Sequence, residues 1–109
     1  MTPIAEAHVG DVGTEIRLTV TDTGVAVDLT DATELTILLG KPSGAVVEKA
    51  ALVVGDPTDG VINCYTAEGD LDEEGMYLLQ ARIVLAAWSG HSDTRRLRVY
   101  ANVDANVGV

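Results

Sequence analysis

Leu71-Asp72-Glu73-Glu74-Gly75-Met76-Tyr77 is the stretch that decides the fold. A leucine, an acidic turn, a glycine and a tyrosine two residues after it have the form of a tyrosine corner. In that device Leu71 plugs the interior, Gly75 takes a tight backbone turn, and the Tyr77 hydroxyl bonds back to the backbone a few residues upstream. An ordinary turn followed by a buried aromatic is the plainer alternative. The corner points to a Greek-key β-sandwich and carries no chemistry of its own.

Outward from the corner, the chain alternates apolar and polar residues with period two, broken by Gly, Pro, Asp and Asn clusters, as an all-β sandwich requires. Met76 to Ala87 is long and apolar on both faces, which predicts a central strand covered on both sides. Trp88-Ser89-Gly90-His91 is expected to turn the chain, and Ser92 to Tyr100 to close the domain with Leu97 and Val99 inward. On the other side, Glu15 to Thr21 puts Ile16, Leu18 and Val20 on one face. Asp22-Thr23-Gly24 is a turn, with Val25 to Leu29 as a short return strand. Glu34 to Lys41 and Ala45 to Val54 flank Pro42-Ser43-Gly44 and read as one hairpin. Gly55 to Gly60 is the densest turn signal, and Val61 to Thr66 is another strand. About seven strands result. The expected fold is therefore an immunoglobulin-like Greek-key β-sandwich over residues 1–100, with residues 101–109 as a small, weakly patterned tail.

Composition bounds the function. The chain has 109 residues, enough for one domain. Its 47% apolar content is that of a chain that folds, despite a net charge of −10. That charge argues against nucleic acid or an anionic membrane as the main partner. No apolar run approaches the roughly 20 residues of a membrane span, and Met1-Thr2-Pro3-Ile4 lacks the pattern of a signal peptide, so a soluble protein made in the cytoplasm is expected. The single cysteine, Cys64, excludes an intrachain disulfide and reads as a small core residue.

Four segments in order resemble a known family: G-D-V-G-T-E-I-R-L-T-V-T-D from Gly10, V-D-L-T-D-A-T from Val27, E-L-T-I-L-L-G-K-P-S-G from Glu34, and D-L-D-E-E-G-M-Y from Asp70. They look like the immunoglobulin-like domain of tailed bacteriophages, found at the N-terminus of baseplate upper proteins and also as a small separate virion protein. The resemblance covers about residues 9–100. It implies a non-catalytic structural protein of the virion, made in the host cytoplasm. Such a protein is expected to dock to or bridge other phage structural proteins of the tail, baseplate, neck or capsid, in a symmetric assembly, with a homo-oligomer as one form it can take.

Residues that suggest chemistry do not assemble into a site. Asp70-Leu71-Asp72-Glu73-Glu74-Gly75 imitates the first half of a calcium loop, but the twelfth place, which needs a bidentate Glu, is Ala81. Asp56 and Asp59 flank a turn and are expected to cap it. His8 and His91 have no further ligands at zinc spacing. Ser89, His91 and Asp93 alternate on one segment without a glycine-framed nucleophile elbow. No enzyme and no cofactor are expected.

Charge divided by position says more. Residues 1–75 hold fifteen acids and three bases, and residues 76–109 hold two acids and four bases. Arg95, Arg96 and Arg98 crowd the last strand, with Arg96 and Arg98 on the face opposite Leu97 and Val99. Either they pair with the acidic surface of their own domain or they dock an acidic neighbour. Trp88 is either an exposed anchor for a partner or sugar ring, or a lid over the end of the sandwich. Val103, Val107 and Val109, in a tail nearly free of charge, are expected to lie in a neighbour's groove. A carbohydrate- or receptor-binding module using Trp88, Tyr65 or Tyr100 is the competing reading.

Overall fold

The computed structural model describes residues 5–86, 88–92 and 94–102. Eleven strand segments occur among them: β1 (Ala5–His8), β2 (Glu15–Thr19), β3 (Thr21–Asp22), β4 (Val25–Ala26), β5 (Glu34–Gly40), β6 (Val46–Ala50), β7 (Leu52–Val53), β8 (Val61–Tyr65), β9 (Gly75–Val84), β10 (Ser89–His91) and β11 (Arg95–Tyr100). One sheet has the order β1-β11-β9-β5-β6, with β10 also paired to β9, and a second has the order β2-β8-β7. The two pack as an immunoglobulin-like β-sandwich. The chain changes sheets between β1 and β2, between β2 and β5, between β6 and β7, and between β8 and β9, so neighbours in sequence become facing layers.

Alternation explains which residues fill the space between the sheets. Ile16 and Leu18 of β2 and Ile62 and Cys64 of β8 come from one side. From the other come Ile37 and Leu39 of β5, Tyr77, Leu79, Ala81 and Ile83 of β9, and Leu97 and Val99 of β11. The corner forms as its spacing requires. The Tyr77 hydroxyl accepts from the Glu73 amide and donates to the Glu73 carbonyl, each at 3.0 Å, and Leu71 is buried. Gly75 has φ +133°, and a Cβ there would stand 2.9 Å from Pro42 Cγ. The glycine therefore both permits the turn and lets the Pro42 turn close on it.

Several sequence expectations change. A parallel strand, β1, pairs with β11 from Ala5↔Leu97 to His8↔Tyr100. The run expected as one strand from Ala45 to Val54 is split at Ala51, with β6 pairing β5 in one sheet and β7 pairing β8 in the other. The return strand expected over Val25 to Leu29 is limited to Val25–Ala26, joined to β3 by Thr23 (φ +50°) and Gly24 (φ +82°), the left-handed pair that a tight two-residue hairpin needs. Ser89–His91 is strand rather than turn, and the reversal is closed by the Leu85 amide donating to the Trp88 carbonyl at 2.6 Å. Between β10 and β11 the pairing with β9 slips by one residue, as in a β-bulge. There the Ser92 hydroxyl takes the place of a ladder carbonyl by accepting from the Ala81 amide. Finally, β9 is central but covered on one face only: Tyr77, Leu79, Ala81 and Ile83 point inward, while Leu78 remains 48% exposed on the other side.

Candidate functional site

The uncovered face of β9 belongs to the larger sheet, and strand parity decides what it presents. On β11 the buried residues are Leu97 and Val99, so Arg96, Arg98 and Tyr100 face outward, as the sequence predicted for the two arginines. Arg95 has the opposite parity and stands at the strand's end, its guanidinium 3.4 Å from the Thr94 carbonyl. Beside β11, β9 offers Met76, Leu78, Gln80 and Arg82; β5 offers Thr36 and Leu38; and β6 offers Val46 and Glu48.

Three zones lie side by side across this face. The β11 flank carries Arg96 and Arg98, with Glu6 of β1 in register beside Arg98. Among the described residues no carboxylate lies within 4.0 Å of Arg95, Arg96 or Arg98, although the chain is rich in acid. Arg98 stands with its guanidinium carbon 5.1 Å from the Tyr100 ring centroid, a cation–π contact. Its Nε is buried without a hydrogen-bond partner among the described residues. Pairing within the domain, one of the two expectations for these arginines, is therefore not what the described residues do. The centre is apolar: Leu38, Gly40, Val46 and Leu78, with Gln80 and Thr94, line a shallow cleft of about 200 Å³. The third zone is acidic. Arg82 donates to Glu48 at 2.7 Å and to Glu34 at 3.1 Å, which raises its own pKa and leaves two carboxylates sharing one cation.

The other candidates scatter. Trp88 is 39% exposed and lines a separate cleft of about 390 Å³ with Leu85 and the β3–β4 hairpin, including Asp22 and Val25. Its ring lies flat against Gly90, where a Cβ would come within 2.5 Å of Cζ2. It is thus both a partial lid and a partly open ring. Tyr65 sits on β8 in the other sheet and Tyr100 beside His8, ring centroids 6.0 Å apart, so the three aromatics form no common platform. Val103, Val107 and Val109 lie outside the described residues, as does Asp93. The acids around the corner are engaged internally. Asp70 pairs with Lys49 at 2.8 Å and accepts from the Ala67 amide, Glu73 accepts from Ser43, and Asp72 pairs with Lys41 at 2.7 Å. The Lys41 ammonium holds the Asp72 carboxyl below its ordinary range. Asp56 caps the short 3-10 turn Pro57–Asp59. No group of three or more His, Cys, Asp or Glu among the described residues is placed to hold a metal.

Sequence reading had the parity of Arg96 and Arg98 but not the apolar centre beside them. Leu38, Val46 and Leu78 come from three strands and meet only through the register. Their signal was present in β9, where Met76 and Leu78 are apolar at outward positions that a solvated strand would make polar.

No family model and no curated protein matches the sequence. Among solved structures, the chain is similar to CopC from Methylosinus trichosporium OB3b, with a TM-score of 0.55 and 15% identity over 92% of this chain and 88% of that one. At that identity the likeness shows a shared β-sandwich fold.

Proposed function

We propose that this β-sandwich is a non-catalytic docking module of a tailed-phage virion, which attaches to or bridges other structural subunits through the outer face of its larger sheet. One observation carries the docking: a strand with Arg96 and Arg98, unpaired with any carboxylate among the described residues, runs beside an exposed apolar patch at Leu78 and Val46. Unneutralised arginines next to uncovered apolar surface are the composition of an interface waiting for its partner. The resemblance of the four segments from Gly10 to Tyr77 to phage immunoglobulin-like domains supplies the virion as the setting. The sandwich likeness agrees with that setting without adding to it.

The test is mass spectrometry of purified virions from cells expressing the gene, with immunogold electron microscopy to locate the chain. Presence at fixed stoichiometry to tail or capsid subunits supports the reading. Expression in infected cells with absence from washed virions overturns it.

The Trp88 cleft favours a second reading, a carbohydrate- or receptor-binding module. A half-exposed indole beside Asp22 and Thr23 offers a stacking surface with polar groups at its rim. Quenching of the single tryptophan on titration with host cell-wall polysaccharide supports that reading, and an unchanged spectrum up to saturating polysaccharide overturns it.

A further inference from the structure

Resting on the docking reading above, we propose that the occupant of the outer face is a second copy of this chain, related by a two-fold axis that runs along the strands between β9 and β5. The face carries opposite signs on its two flanks. Arg96 and Arg98 lie on the β11 side, and the pair Glu34 and Glu48, which share Arg82, lies on the β5–β6 side. A uniformly acidic partner would satisfy the arginines and be repelled by the glutamates. A second copy, turned about an axis parallel to the strands, places each β11 against the other's β6, so Arg96 of each copy meets the Glu48 side of the other. An axis across the strands would instead stack arginine on arginine.

The register supports the match. Arg96 lies opposite Leu78, Leu78 opposite Gly40, and Gly40 opposite Val46, so these four form one row across the sheet. Glu48 is two residues further along β6, about 7 Å, within reach of an extended arginine on the facing copy. The axis then passes close to Leu38 and Leu78, bringing the two apolar centres together where charge is absent. Five strands at roughly 4.8 Å spacing give a face at the small end of the interface sizes seen in specific complexes, so pairing is weak and concentration-dependent. The net charge of −10 on each copy opposes approach at long range. Salt at about 0.15 M screens that repulsion beyond roughly 8 Å while leaving the close contacts.

The experiment is sedimentation equilibrium of the full chain at physiological salt, over the micromolar to millimolar range. Wild type is expected to shift from monomer to dimer mass. Arg96→Glu and Glu48→Lys are each expected to weaken pairing at least about tenfold, one unit of like charge at each symmetric contact being sufficient. Mixing the two variants in equal amounts is expected to restore a heterodimer, because one contact is then reversed in sign on both sides and the other is untouched. Leu78→Glu, at the centre, is expected to abolish pairing in any mixture. Unfolding midpoints are followed for each variant, and should one fail to fold, the wild-type and Leu78→Glu arms still decide. A wild type that stays monomeric, an Arg96→Glu variant that pairs like wild type, or a mixture that stays monomeric overturns the proposal. A monomeric wild type that is still found in virions removes only self-pairing. A dimeric wild type absent from virions removes only the virion reading.

Discussion

Tyr77 shows how one hydroxyl can set a corner. Its ring is fully buried and its oxygen both accepts from and donates to the backbone of Glu73, so the residue closes the interior and fixes the loop that leads into β9. Tyr77→Phe keeps the ring and removes both bonds, and is expected to lower unfolding free energy by about 1–2 kcal/mol in urea, with an unchanged m-value. Cys64 makes a second residue-scale prediction. Burial pushes its thiol up to about 11, against a minor opposing pull from Lys49. The unfolded chain therefore loses this proton at lower pH than the folded chain. The thiol's contribution to stability is fully present below the ordinary cysteine pKa and is lost as pH rises from there toward 11. Native protein at pH 8 is expected to resist a thiol reagent that labels it at once in denaturant. Both residues were legible in sequence, because a tyrosine corner is a local pattern and a cysteine in an alternating strand has a defined face. Trp88 was not, since the β3–β4 hairpin that meets it lies more than sixty residues away.

At the scale of elements, the errors have a common physical source. The alternating run from Ala45 to Val54 contains no Gly or Pro to mark a break, yet at Ala51 it leaves one sheet and enters the other. Alternation reports that a residue faces a core and does not say from which layer. β1 escaped notice because A-E-A-H is short and has only alanine at alternate positions, and because its parallel partner β11 lies ninety residues on. β9 was expected to be covered on both faces, since a surplus of apolar residues reads the same for a buried strand and for one with an uncovered patch. Gly75 makes the prediction that belongs here, because it is both the turn of the corner and the first residue of β9. Gly75→Ala forces a side chain into a positive-φ conformation and onto Pro42, and is expected to cost about 1–3 kcal/mol or more. The effect is read as a lower thermal midpoint, and Pro42→Ala in the same background is expected to recover part of the loss.

The whole molecule is an acidic body with one face on which an arginine-bearing strand, an apolar centre and an acidic flank lie side by side. Its acids cluster in loops and edges where they find internal partners, as Asp72 does with Lys41 and Glu73 with Ser43. The arginines of β11 find no carboxylate partner among the described residues. Dividing charge by position exposed this asymmetry in the sequence, and the sheet register added the apolar centre that turns it into a surface. The claim that this face is how the domain meets its partners is tested most directly by the double variant Arg96→Glu/Arg98→Glu, measured for incorporation into virions alongside its unfolding midpoint. Loss of incorporation by at least about tenfold with a midpoint within a few degrees of wild type is the expected result, since surface changes away from packed features shift stability little. Incorporation at the wild-type level by the folded double variant would contradict the account.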